Sequence, residues 1–275
     1  MSQLLALVSA VLFGVADFTG GFVTRRLPVW KVIPWSQLLG LPLLVVGLLV
    51  VPAEEVTALD LALGAIGGVA GLIGLAILYS TLAAGTMSVV APISGAVAAA
   101  IPVIFDLSRG EELSPLQIFG IVLALAAVLL VGLDHSARHL DVRLLLQAAA
   151  AGAAFAVFFI ALGFTDEASG LWPLVAARAV TVPIAFAVAL ALGVAARPRD
   201  DDLKLVGIAG TLDMGANVAI ALALQRGPIG VSSVLSSLYP AVTAVVAVVV
   251  LKERPSTQQL VGIGFALAAV LALAL

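Results

Sequence analysis

Ten apolar stretches, joined by short charged connections, leave this chain of 275 residues few ways to fold. They run over residues 3–23, 31–51, 61–83, 87–106, 115–133, 143–164, 171–195, 203–225, 229–251 and 256–275. A helix needs about 20 apolar residues to cross a hydrocarbon core, so each stretch has the length of a membrane span. The charges collect between them, at Arg25-Arg26, Glu54-Glu55, Asp106 to Glu112, Asp134 to Arg143, Asp166-Glu167, Arg197 to Lys204 and Lys252 to Arg254. No connection is long enough for a soluble domain. Hydrophobic types make up 63% of the chain and charged residues 11%, against about 25% charged in a soluble domain. That is too little polar surface to cover a water-soluble fold. A soluble enzyme, a nucleic-acid binder and a disordered chain are excluded. Barrel strands alternate apolar and polar over about ten residues, whereas these stretches are apolar on every face. The fold class is therefore all-α integral membrane, with ten transmembrane helices.

The first stretch is read as a helix of the mature protein. It has no basic leading region, its apolar run is too long for a signal peptide, and Arg25-Arg26 flank its end. Cysteine is absent, which excludes disulfides, thiolate catalysis and cysteine-bound metal. The only histidines, His135 and His139, sit in one polar connection and read as solvated, not as metal ligands. No G-x-x-x-x-G-K-[ST] run occurs, so the chain itself does not hydrolyse ATP. Neither enzyme activity nor a cofactor or metal is expected.

Lys and Arg in short loops set the orientation of a membrane protein. The connections on the N-terminal side hold Arg109 and Arg226; the opposite side holds ten basic residues, and Arg178 lies inside a span. The count puts both termini outside the cytoplasm, in a multi-pass protein of the cell (plasma or inner) membrane.

Shifting the chain by 142 residues aligns it with itself without a gap. Trp30 meets Trp172, Gly85 meets Gly227, Glu111 meets Glu253, Ser114 meets Ser256, Gln117 meets Gln259 and Gly120 meets Gly262. The repeats are residues 1–135 and 142–275, with five spans each. Five is odd, so the second copy lies upside down. Corresponding connections carry opposite charge: Arg25-Arg26 matches Asp166-Glu167, and Glu54-Glu55 matches the region of Arg197. Inverted repeats are the architecture of secondary transporters, which bind solute near the midplane between the copies.

Leu238-Tyr239-Pro240 to Glu253, then Gln259, Gly262 and the apolar run to Leu275, resemble the end of an EamA repeat. Leu78-Tyr79 to Gly85, Val89-Val90-Ala91-Pro92 and Glu111 resemble the same region of a first copy. EamA proteins belong to the drug/metabolite transporter superfamily, and the resemblance spans the whole chain. It implies two inverted five-helix repeats around a central cavity, and transport of small metabolites or organic cations. It names no substrate. Members often carry cytoplasmic termini, and this chain's charge count departs from that.

Three ionisable residues lie inside spans: Asp17, Arg178 and Asp213. A charge in the bilayer is costly, so such groups face a cavity or a partner. Gly210, Asp213 and Asn217 share one helix face; Asp213 reads as a proton or cation site, or as a structural polar contact. Asp17, with Ala10, Gly14 and Gly21 on its face, resembles the helix-one carboxylate of the small multidrug resistance branch, which exchanges protons for cationic substrate. Its plainer reading is an interfacial residue near Arg25. Arg178 is about 10 Å deep at 1.5 Å per residue, within reach of Asp213. Such a pair is either a fixed structural contact or an exchangeable site for an anionic or zwitterionic solute. Ser236, Tyr239 and Thr243 fall on one side of the ninth span, as a hydrophilic path or as small-residue packing. Pro92 and Pro240 read as hinges, since proline frees a backbone carbonyl. Trp172 and Trp30 suit interfacial anchoring or a cation–π contact, and Tyr79 and Trp35 are candidates of the same kind. The Gly64, Gly67, Gly71, Gly74 stripe reads as close packing, and Glu111 and Glu253 as capping residues.

The function expected is secondary active transport of a small polar metabolite or organic cation by alternating access, one repeat rocking against the other. It would be coupled to protons or to exchange. Asp17 or Asp213 would be neutralised by proton or substrate in the closed state. A lipid-carrier flippase subunit and a non-transporting membrane partner are the alternatives. The expected partners are a small-molecule substrate, protons or an exchanged solute, and the lipid bilayer, with no nucleic acid; a monomer and a homodimer both fit.

Overall fold

The computed structural model describes residues 1–83, 87–132, 142–251 and 257–274. Gly85, His135, His139, Glu253 and Ser256 lie outside the described residues, as do the side chains of Pro92 and Gln259. The described residues form eleven α-helices and no strand. They are α1 (Ser2–Thr24), α2 (Val29–Val50), α3 (Ala58–Ala83), α4 (Met87–Ser108), α5 (Pro115–Gly132), α6 (Val142–Gly163), α7 (Trp172–Ala191), α8 (Asp200–Gln225), α9 (Ile229–Ser236), α10 (Tyr239–Leu251) and α11 (Thr257–Ala274). Six of them are long and apolar enough to cross a membrane: α1, α2, α3, α6, α7 and α8. Shorter apolar helical stretches fill α4, α5, the α9–α10 region and α11. The chain is a multi-pass membrane protein.

Helix occupies every apolar stretch, with one interruption. The ninth stretch breaks at Ser237 and Leu238 into α9 and α10. Pro240 follows the break and sits in the first turn of α10. There its missing N–H costs nothing, whereas mid-helix it would remove a bond and clash with the preceding turn. Other helix starts are fixed by reciprocal side-chain caps, in which a Ser or Thr and a residue three further on satisfy each other's backbone N–H groups. Ser114 N–H donates to Gln117 Oε1 at 2.9 Å, and Gln117 N–H to Ser114 Oγ at 3.2 Å. Thr57 and Asp60 do the same at the start of α3. The Ser114 and Gln117 repeat markers are therefore a helix-start signal.

A shift of 142 carries α3 onto the bounds of α8, and α5 onto those of α11. The packing follows the same exchange. α1 packs on α8, and α6 on α3; α2 packs on α8, and α7 on α3. α4 lies against α6 as α9 and α10 lie against α1, and α5 and α11 lie against each other. The most extensive contacts thus run between the sequence halves. Two packed bodies result, one of α1, α2, α8 and α10, the other of α3, α4, α6 and α7, and α9 packs on α4 as well as on α1. Neither body is a half of the chain, so a picture of one half rocking as a unit does not describe this packing.

Glycines set the closest approaches within each body. A Cβ on Gly68 would lie 2.6 Å from the Ala177 Cβ, in the contact of α3 with α7. A Cβ on Gly210, its counterpart in α8, would strike the Ser36 backbone of α2. Gly64 packs likewise on the Pro173 backbone and Gly74 on the Phe155 ring.

Hydrogen bonds gather alternate connections on one face. Gln3 Nε2 donates to the Leu273 carbonyl at 3.0 Å, and Glu54 N–H to the Ala168 carbonyl at 2.8 Å. Arg226 Nε meets Glu167 Oε1 at 2.7 Å. Gln225 Nε2 donates to Thr165 Oγ1 and to the Gly170 carbonyl. Asp106 Oδ2 accepts from Gly230 N–H at 2.6 Å. The Arg226 and Gln225 bonds link the two bodies across this face, and the Asp106–Gly230 bond ties α4 to α9. At the opposite face Trp35 Nε1 donates to the Ala195 carbonyl at 3.2 Å.

Candidate functional site

The two bodies enclose a cavity with about 60 Å³ open to the centres of water molecules, room for a handful of waters or a ligand of similar bulk. Their walls differ in character. The α1–α2–α8–α10 side contributes Phe13, Asp17, Gln37, Asp213, Asn217 and Tyr239. The α3–α4–α6–α7 side is apolar apart from Arg178, with Phe155, Phe158 and Phe159 as its broadest surfaces.

Arg178 Nη2 and Asp213 Oδ2 are 2.9 Å apart, with side chains 13% and 20% exposed. This ion pair spans the cavity from one body to the other. Asn217 Nδ2 donates to the Asp213 carbonyl at 2.7 Å, one turn along α8. Gly210, one turn back, is the close contact with α2 and brings Asp213 to the wall. Asp17 is 8% exposed, and no hydrogen bond or ion pair reaches its carboxylate among the described residues. Gly14, on its face, packs on Val242 and the Tyr239 carbonyl of α10. The cavity therefore holds two acids and one base.

Five of the residues singled out in the sequence line this cavity together: Asp17, Arg178, Asp213, Asn217 and Tyr239. The Tyr239 hydroxyl donates to the Ala91 carbonyl at 3.3 Å, so it ties α10 to α4. Tyr79 is buried and its phenol lies over Gly20, one turn from Asp17, outside the lining. Ser236 is also outside; its Oγ lies 3.0 Å from Ser9 Oγ and joins α9 to α1. Thr243 donates to the Gly14 and Tyr239 carbonyls. The hydroxyls of Ser236, Tyr239 and Thr243 each make a contact between helices. Trp172 is 42% exposed at the start of α7, and Trp30 borders a separate surface groove with Arg143 and Gln147. Trp35 stacks edge-on with Phe186 at 5.6 Å. Pro92 is within α4.

Gln37 and the phenylalanines were not singled out in the sequence. One amide in a span gives no depth signal, and phenylalanine is ordinary in any membrane helix. The polar run Ser36-Gln37 inside the second stretch was the available hint.

The model of the EamA-like transporter family matches residues 143–275. The second half of the chain carries this match directly, and the match is consistent with an EamA-type transporter. No curated protein matches the sequence. A solved structure described as a crystal structure of protein aligns with a TM-score of 0.77. The alignment covers 100% of this chain and 98% of that one, at 16% sequence identity. At that identity the likeness is one of fold alone.

Proposed function

We propose that the protein is a secondary active transporter of a small polar metabolite or organic cation, working by alternating access. The single observation that carries this reading is the cavity lined both by Asp17, unpartnered among the described residues, and by the Arg178–Asp213 pair. Burying a lone carboxylate in a membrane protein is costly, and a proton or a cationic solute offsets that cost. Asp17 is then the coupling group: neutral with a proton when the cavity is otherwise empty, ionised when a solute cation replaces the proton.

The exchange of packing contacts between the sequence halves supports two inverted repeats of five spans, 1–135 and 142–275. In the cycle the moving units are the two packed bodies, not the repeats. Opening toward the face that carries Glu167 and Arg226 requires the Arg226–Glu167 and Gln225–Thr165 bonds across it to part. The Arg178–Asp213 pair, which also bridges the bodies, opens and closes with them. The Lys and Arg distribution sets the termini on the outer side of the cell membrane.

Asp17→Asn tests the reading. Asp17 has no partner to strand among the described residues, so the variant folds and melts like the parent. In proteoliposomes it loses solute uptake driven by a pH gradient, while counterflow of the solute loses its pH dependence. Uptake and pH dependence equal to the parent's would overturn the role of Asp17.

A further inference from the structure

The cavity's unused hydrogen-bonding capacity points to one kind of solute. Gln37 Oε1 is buried without a hydrogen-bond partner, and its side chain lines the cavity. The residue is 3% exposed. A buried acceptor left unpaired is costly, so native structures leave few of them. The Asp17 carboxylate, on the same wall, is a second acceptor without a donor among the described residues. The polar side chains nearby are each turned to an acceptor other than Gln37. Arg178 reaches Asp213, Asn217 reaches the Asp213 carbonyl, and the Tyr239 hydroxyl reaches the Ala91 carbonyl. With two acids against one base, the cavity is also one negative charge in excess when all three are ionised. Opposite these acceptors stand the rings of Phe155, Phe158 and Phe159.

We propose that this cavity takes a protonated primary or secondary amine with an apolar or aromatic body, its N–H groups shared between Asp17 and Gln37 Oε1. The inference deepens the transporter reading and rests on it. It makes Gln37 a specificity residue. A carboxylate attracts any cation, but an amide oxygen selects for a cation that has an N–H to give. A quaternary ammonium has the same charge and no donor, so it would leave Gln37 as unpaired as it is in the empty cavity. A site built to hydrogen-bond a group discriminates against analogues that lack it far more strongly than an apolar pocket does.

The test compares four probes of similar bulk: phenethylamine, its N-trimethyl quaternary analogue, phenethyl alcohol and phenylpropionate. Binding is read by thermal stabilisation of the purified full chain, and transport by solute-driven proton movement in proteoliposomes. Phenethylamine is expected to bind at least about tenfold more tightly than the quaternary analogue, the worth of one good hydrogen bond to a charged donor. Gln37→Leu should bring that ratio close to one while the amine still binds. The ratio is taken within one variant, so a general loss of stability leaves it readable. Asp17→Asn should remove binding of both cations. Equal or tighter binding of the quaternary probe overturns the amine class. An unchanged ratio in Gln37→Leu overturns the role of Gln37 and assigns its oxygen to a bound water. Proton movement driven by the alcohol or the carboxylate, with neither cation active, overturns the inference and leaves the transporter standing. No binding and no movement with any probe overturns the inference as well. The transporter reading falls with it only if a wider panel of sugars, amino acids and nucleosides also moves nothing.

Discussion

At the scale of the residue, the cavity contains two acids in opposite situations. Asp213 has Arg178 at 2.9 Å, and Asp17 has no partner among the described residues. Removing one member of a buried ion pair strands the other and costs about 3–5 kcal/mol, whereas replacing both by apolar groups is close to neutral. The residual exposure of the pair places it at the lower end of that range. Arg178→Met and Asp213→Leu should therefore each lower the melting temperature in detergent, and the double variant should recover most of the loss. Additive losses would mean that the two side chains do not interact in the folded protein. The same double variant separates the two readings of the pair: intact transport in it makes the pair scaffold, lost transport makes it part of the cycle. Depth alone made this pair legible in the sequence, because charges in an apolar span are rare enough to be counted. Gln37 carries no charge to count, and its importance depends on which donors its neighbours have already used. That property exists only once α2 and α8 have packed.

At the scale of the element, Gly64 and Gly68 of α3 and Gly210 of α8 set how close α7 and α2 can come, while Gly67 and Gly74 of the stripe meet α6. A side chain at Gly68 meets Ala177, and one at Gly210 meets the Ser36 backbone. Gly207 differs, since a Cβ there would lie at an ordinary 3.5 Å from Leu39 Cδ1. Gly68→Val and Gly210→Val should abolish a monodisperse folded protein, and Gly207→Ala should leave its yield and melting unchanged, as read by size exclusion and thermal unfolding. Equal tolerance at all three positions would show that the helices are not held at these contacts. The stripe was readable from its spacing, and so was its role in packing. The break between α9 and α10 was readable only in part. Pro240 announced an irregularity in the ninth stretch, but the helix is interrupted two residues earlier, at Leu238, because the proline fits best in the first turn of the helix that follows. The chemistry of a proline fixes what it cannot do, and the packing decides where the chain absorbs it.

At the scale of the whole molecule, the gathering of alternate connections on one face was legible from the count of apolar stretches, since each helix carries the chain from one face to the other. The grouping of helices was not, because self-alignment shows which helices correspond and says nothing of which ones touch. The bonds from Arg226 to Glu167 and from Gln225 to Thr165 join the two bodies on one face. The chain has no cysteine of its own, so Arg226→Cys with Glu167→Cys can be labelled and cross-linked without background. An impermeant thiol reagent should label the pair in intact cells, as the charge count requires. A short bifunctional thiol cross-linker should then stop transport, and a reducible version should release it on reduction. Labelling only after permeabilisation would reverse the orientation, and full transport in the cross-linked protein would show that this face does not open.

The interlacing of the two halves also has a bearing on how such a molecule is made. Since α1 finds its main partner in α8, and α3 in α6 and α7, the first five helices leave the ribosome with their principal contact surfaces still unsynthesised. The nascent first half must wait in the lipid as loosely associated segments, and tertiary closure arrives late, when α8 is inserted. Such an order of events makes the early intermediate a client for whatever holds unassembled segments at the insertion site. It also means that two separately produced halves would each be incomplete, and would mature only by finding one another in the same bilayer.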